Sequence, residues 1–262
     1  MNTSTSKLTV AAIALAAAVA LVAAASPARS EDAGGADKAL ELTRMAVAKA
    51  NAGKPDEALA LLDQSLRLNE RNASAYYNRG KVHLIKGRAD AAVEDMDKAL
   101  KLNPQLAAAH VVRGMAYRLQ GDSAKAVKDY ATALKIEPDN PEALVNRAVM
   151  RFDAGELDGA LEDLTRAIQT NPAMAQALAN RGYILEQLGR YDAAIEDLSG
   201  VLARDPNNVA AMKHLGFIYE RKDDQVNAAR WYKNALKLEQ DNAARKRLQA
   251  EIENLERKKT KN

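Results

Sequence analysis

Residues 107–140 read AAAHVVRGMAYRLQGDSAKAVKDYATALKIEPDN, and residues 73–106 before them read ASAYYNRGKVHLIKGRADAAVEDMDKALKLNPQL. Laid one over the other, the two stretches share glycine at the eighth place (Gly114, Gly80) and at the fifteenth (Gly121, Gly87). They also share alanine at the twentieth place (Ala126, Ala92) and a late proline (Pro138, Pro104). Small residues at matched heights let two antiparallel helices approach closely. The fifteenth-place glycine supplies the left-handed residue that ends a helix and turns the chain. The proline cannot continue the second helix, which therefore stops. Each stretch is predicted to be a helix, a tight turn and a helix.

The same 34-residue frame extends in both directions, giving units 39–72, 73–106, 107–140, 141–174, 175–208 and 209–242. Their eighth places read Ala46, Gly80, Gly114, Ala148, Gly182 and Gly216, and their twentieth places are all alanine, from Ala58 to Ala228. The fifteenth reads Gly53, Gly87, Gly121, Gly155, Gly189 and Asp223, and prolines 104, 138, 172 and 206 close the middle units. In Asn140-Pro141-Glu142 the next helix has a cap, a first-turn proline and an early acid. Aromatics are 4% of the chain and Ala and Leu dominate its apolar residues, a composition that favours helix over strand. The fold class is all-α.

The 34-residue period, the small eighth and twentieth places, the aromatics Tyr76, Tyr117, Tyr130, Tyr219 and Tyr232, and the late proline resemble the tetratricopeptide repeat. The resemblance covers residues 39–242. It implies a right-handed α-solenoid of six helix-turn-helix units whose concave surface is lined by the first helix of each unit. Glu70 and Gln240 stand where the middle units have proline, and Asp223 where they have the turn glycine. Such departures belong at the ends of a stack, where one face has no neighbour. Residues 243–262 then form a capping helix with Leu248, Ile252 and Leu255 on one stripe, followed by a basic tail.

Residues 1–30 read as a secretory signal peptide: a polar start with Lys7, an apolar run from Leu8 to Ala25, and small residues placed for cleavage after Ala28 or after Ser30. The alternative is a retained anchor, and export follows from either. Residues 31–38 are a short linker. The chain is expected to be exported, and periplasmic if its source is a Gram-negative bacterium.

Four units carry arginine at the seventh place (Arg79, Arg113, Arg147, Arg181), and the same four carry aspartate at the twenty-third (Asp95, Asp129, Asp163, Asp197). The end units lose both together, with Met45 and Leu61 in the first and Leu215 and Trp231 in the last. The two places are symmetric about the turn, so an ion pair is predicted inside each of the four hairpins.

Outward places on the first helices supply the candidate partner-binding residues. These are Tyr77, Asn78 and Lys81 in the second unit, Val111, Met115 and Arg118 in the third, and Val145, Asn146, Val149 and Phe152 in the fourth. The fifth unit adds Asn180, Tyr183 and Glu186, and the sixth Lys213 and Phe217, with His214 and Glu220 beside them. An apolar middle with charged ends suits a protein ligand. Asn78, Asn146 and Asn180 share one place, and an amide can donate to and accept from an extended peptide. Val112 interrupts that ladder and His214 ends it. Equally open is that these residues pack between neighbouring units.

No catalytic constellation is found. The three histidines, His83, His110 and His214, are scattered, and neither a phosphate-binding glycine loop nor a flanked nucleophilic serine is present. No cofactor or metal is expected. The absence of cysteine excludes disulfides, thiol nucleophiles and acylated cysteine anchors. Without Lys7 and Arg29, the remainder has 36 basic against 35 acidic residues, which argues against a nucleic-acid binder driven by bulk charge. The basic residues between Arg245 and Lys261 allow at most a weak contact with an anionic membrane. The expectation is a non-enzymatic scaffold that binds a peptide segment or helix of an envelope protein in its groove, with no small-molecule substrate. The alternative is a structural subunit that assembles through its convex face and end helices.

Overall fold

A computed structural model describes residues 33–259, all of whose regular elements are helical; the signal-peptide reading of residues 1–30 lies outside the described residues. Thirteen helices follow in order: α1 Ala33–Asn51, α2 Pro55–Leu68, α3 Ala73–Ile85, α4 Ala89–Leu102, α5 Ala107–Leu119, α6 Ser123–Ile136 and α7 Pro141–Asp153. After them come α8 Leu157–Thr170, α9 Ala175–Gln187, α10 Tyr191–Leu202, α11 Val209–Arg221, α12 Gln225–Leu238 and α13 Asn242–Lys259. From the second repeat onward, every first helix begins on the first residue of its 34-residue unit. The chain divides into two compact units, one holding α1–α6 up to Glu137 and one holding α7–α13 from Pro138. Each is an α-helical repeat stack in which a hairpin packs on the next.

The turns follow the sequence chemistry. Gly53, Gly87, Gly121, Gly155 and Gly189 have positive φ, and Asp223 adopts the same left-handed conformation with φ of 59°. Aspartate tolerates that region at some cost, so the place demands the conformation and only prefers glycine. Asn140 Oδ1 accepts from the Ala143 amide at 2.9 Å, with Pro141 in the first turn of α7, as the Asn-Pro-Glu triplet predicts.

One boundary differs from expectation. Residues 33–38, read as linker, form the opening turns of α1. Gly34 has nothing within 4 Å of where a side chain would begin, and Asp37 and Lys38 are exposed, while Gly35 and Ala36 are partly covered. The helix nucleated by the packed part of α1 propagates back through them, and adding residues to an existing helix is far easier than starting one.

The eighth place is where the two helices of a hairpin meet. A methyl carbon added to Gly114 would lie 2.6 Å from Cε1 of Tyr130, and one on Gly182 would lie 3.1 Å from Cγ of Leu198. Opposite Leu62 and Leu164 at the twenty-fourth place, alanine is accommodated at the eighth, as Ala46 and Ala148, both buried. The other partners Met96, Tyr130 and Tyr232 all face glycine, whereas leucine faces alanine in two hairpins and glycine, as Gly182, in the fifth.

All four predicted ion pairs are present. Arg79 Nη2 donates to Asp95 Oδ1 at 2.7 Å, Arg113 Nη2 to Asp129 Oδ1 at 2.8 Å, Arg147 Nη2 to Asp163 Oδ1 at 2.6 Å and Arg181 Nη2 to Asp197 Oδ1 at 2.7 Å. In each, Nε donates to the other carboxylate oxygen, making a two-pronged pair. The aspartates are buried, and burial opposes the ionisation of Asp129. Hydrogen bonds from Arg113 and His110 outweigh it and hold that carboxyl below the usual range. In the first hairpin a neutral latch takes over: Thr43 Oγ1 and Ser65 Oγ lie 2.8 Å apart, and both donate to the Ala39 carbonyl.

The arginines also reach backwards. Arg79 Nη1 donates to Asp63 and Arg113 Nη1 to Asp97, each in the preceding hairpin, at 2.7 and 2.6 Å. At the corresponding place before Arg181 stands Thr165, whose hydroxyl accepts only at 3.3 Å. Thr165→Asp should therefore recreate the inter-hairpin link and raise stability by about 0.5 kcal/mol, read as a higher midpoint in urea with unchanged slope.

Candidate functional site

The first helices are the candidate binding elements, and the residues at their fifth, sixth, ninth and twelfth places divide into two classes. Tyr77, Asn78, Lys81, Val111, Val145, Asn146, Val149 and Glu186, expected to face outward, are buried. Met115, Arg118, Phe152, Asn180, Tyr183, Lys213 and Phe217 are partly exposed. The buried set lies where first helices and their neighbours close over these places, so packing claims much of what the periodicity offered to a ligand. The asparagine amides are used internally as well. Asn78 Nδ2 donates to the Ser74 carbonyl and Asn146 Nδ2 to that of Glu142, both at 2.8 Å, which ties each amide to its own helix.

Among residues 33–137, the Lys81 ammonium sits 5.6 Å from the centre of the Tyr77 ring, a cation over a π face. Two apolar side chains not singled out from the sequence, Ile85 and Leu119, stand 45% and 47% exposed at the ends of α3 and α5. Arg118, the residue before Leu119, has its Nε buried without a hydrogen-bond acceptor among the described residues.

Among residues 138–259, α7, α9 and α11 bring three rings into one series. Phe152 and Tyr183 meet edge to face with centroids 5.6 Å apart, and Tyr183 and His214 do the same at 5.4 Å. The three rings come from the twelfth, ninth and sixth places of successive hairpins, stepping back about one helical turn per unit, so they run diagonally over the first-helix face. His214 Nδ1 lies 2.7 Å from Oε2 of buried Glu186, which pins the last ring of the series. Lys213 Nζ pairs with Glu239 at 3.0 Å, and the Arg221 guanidinium covers the Phe217 ring at 4.9 Å. The signal for the diagonal was available as a 31-residue recurrence of rings, Phe152, Tyr183 and His214, beneath the 34-residue period.

The result is a partly exposed aromatic strip bordered by fixed charges, a surface that offers flat apolar contact and directional polar rims. Among the described residues no cluster of histidines and acids could hold a metal ion, and no helix is long and apolar enough to cross a membrane.

Among solved structures, the fold is similar to a chain of the APC/C hetero-tetramer Cut9-Hcn1, with a TM-score of 0.75 and 19% identity. The match covers 84% of this chain and 43% of that one, so this chain spans less than half of that relative's length. PilF of Pseudomonas aeruginosa matches with a TM-score of 0.73 and 15% identity over 83% of this chain and 99% of that one. YrrB, described as a TPR protein with an unusual peptide-binding site, matches with a TM-score of 0.57 and 21% identity over 72% and 97%. At these identities the likeness is one of fold. No curated protein matches the sequence. The tetratricopeptide repeat family model matches residues 43–107, 111–175, 151–208 and 179–245. With hairpin, turn and stacking all in that pattern over most of its length, the chain belongs to the tetratricopeptide repeat family.

Proposed function

We propose that this protein is an exported scaffold whose first-helix face in residues 138–262 binds a peptide segment or helix of an envelope protein. The tetratricopeptide fold is that of a protein–protein interaction scaffold, and repeat stacks present extended surfaces for such contacts. What supports a particular site on it is the strip of Phe152, Tyr183 and His214, whose rings are held edge to face and yet remain partly exposed. Rigid aromatic anchors lose little conformational entropy when a ligand covers them, and they dominate binding energy at interfaces. Export is proposed from the apolar run Leu8–Ala25 and the small residues after it.

The test is crosslinking and capture in the source cell, comparing the native protein with a Phe152→Ala, Tyr183→Ala variant whose helical circular dichroism is unchanged. Loss of particular partners from the variant alone is the expected result. An unchanged set of partners would overturn the site. Fractionation of the same cells reads the compartment, and a chain retained in the cytoplasm would overturn export.

A further inference from the structure

Two lines of side chains leave Phe152 across the first helices of residues 138–259. One steps by 31 residues and is the aromatic strip of Phe152, Tyr183 and His214. The other keeps the 34-residue period at the twelfth place and reads Phe152, Glu186, Glu220. A 31-residue step from Glu220 then falls on Glu251 of α13, which is exposed. Because that step brings Phe152 to Tyr183 and Tyr183 to His214, it sets Glu251 beside Glu220. The Tyr232 hydroxyl lies where these acids converge, 3.5 Å from Oε2 of Glu220. Burial pushes its phenol above the usual range, and the charges of Glu220, Glu251 and Glu186 push it further.

The cations of α7, α9 and α11 are already engaged. Arg147 and Arg151 pair with Asp163, Arg181 with Asp197 and Lys213 with Glu239. Arg221 lies over the Phe217 ring at 4.9 Å, so a guanidinium of the chain itself already sits on a ring of this face. Arg247, exposed one turn before Glu251 on α13, lies outside ion-pair distance of it. Glu186 is buried and held by His214, which leaves Glu220 and Glu251 as the acids a ligand reaches. A wedge thus opens on the first-helix face, aromatic along one side and acidic along the other. Tyr183 is level with His214, and Glu220 stands six residues beyond His214 along α11. At about 1.5 Å per residue and with neighbouring helix axes roughly 9 Å apart, about 13 Å separates Tyr183 from Glu220. About four residues of an extended chain cover that distance.

We propose that the segment bound on this face is basic: an apolar or aromatic side chain covers Phe152 and Tyr183, and a lysine or arginine of the same segment lies between Glu220 and Glu251. The inference rests on the strip being the binding face and adds the chemistry that the face selects. Rings alone accept any apolar chain, whereas the carboxylates attract a cationic segment and repel an acidic one.

The test selects peptides from a displayed library of random sequences on the full chain, with the Phe152→Ala, Tyr183→Ala variant as counter-selection. The library peptides are roughly 12 residues long, enough to span both anchors. Sequences retained only by the native protein are expected to carry lysine or arginine about four residues from an apolar or aromatic residue. A synthetic peptide of such a sequence should bind the Glu220→Gln, Glu251→Gln variant roughly ten-fold more weakly than the native protein. Glu251→Gln alone, at an exposed position, keeps the comparison valid if the Glu220 substitution disturbs Tyr232, which circular dichroism checks. Strip-dependent sequences without a basic bias, or equal affinity for the native protein and both glutamine variants, would overturn the inference and leave the strip as the site. Failure to enrich any strip-dependent sequence would overturn both.

Discussion

Asp197→Leu should lower the unfolding free energy by about 3 kcal/mol, and adding Arg181→Met to it should recover most of that loss. Asp197 is 2% exposed and receives two hydrogen bonds from Arg181, at 2.8 and 2.7 Å. Taking the carboxylate away leaves a half-buried guanidinium whose remaining side-chain hydrogen bond is the long one to the Thr165 hydroxyl, with the Glu196 charge acting only from a distance. Replacing both partners removes the uncompensated charge along with the pair, and apolar side chains of similar volume then fill the space. The protein already contains this substitution: its first hairpin has Met45 and Leu61 at the two places. Chemical denaturation of the two single variants and the double variant gives the coupling energy directly. Equal losses in the single and double variants would show that the pair is not the source of the effect. The same logic sets an acid limit. A carboxyl depressed in the fold, as in Asp129, contributes stability above its ordinary value of 3.8, and that share disappears as pH falls through the lower folded value.

Gly114→Ala should destabilise the protein by about 2 kcal/mol, although alanine is the better helix former by about 1 kcal/mol. The added methyl would sit 2.6 Å from a ring carbon of Tyr130, which is fully buried and cannot swing into solvent. Overlap at that distance must shift either the ring or the backbone of α5. Tyr130→Leu in the same chain should restore much of the loss, because Leu62 and Leu164 already coexist with alanine in the first and fourth hairpins. A thermal melt that places Gly114→Ala at or above the native protein would mean that the hairpin can open by several tenths of an ångström without penalty.

The hairpin frame was legible because each of its signals acts locally: a glycine turns, a proline stops, and a small residue admits a neighbour. The ion pairs were legible for a different reason. Arginine and aspartate appear and disappear together, and a helix-turn-helix can bring their two places level. What lay beyond the sequence was how tightly neighbouring helices close. Helical periodicity placed Tyr77, Val111 and Val145 on the first-helix face, but it holds no measure of how far the next helix covers them, and all three are buried. The strip of Phe152, Tyr183 and His214 was missed as a unit because its members occupy three different places of the repeat, and a reading place by place separates them. The Thr43–Ser65 latch went unseen because two small hydroxyls in one hairpin, without repetition, resemble ordinary helix surface.

Arg79 and Arg113 each hold carboxylates in two hairpins at once. When one hairpin among residues 33–137 opens, its neighbour loses a charge partner as well as apolar cover, so opening spreads and that unit comes apart as a block. Among residues 138–259 the arginine's backward reach ends at the Thr165 hydroxyl, and the charges shared between hairpins are instead the His214–Glu186 and Lys222–Asp192 pairs, which tie the α11–α12 hairpin to the one before it. Amide exchange would then show a single protection level across residues 33–137 and a step in protection between the α7–α8 and α9–α10 hairpins, where no ion pair is shared among the described residues, with neighbouring repeats cooperating in proportion to the charge partners they share.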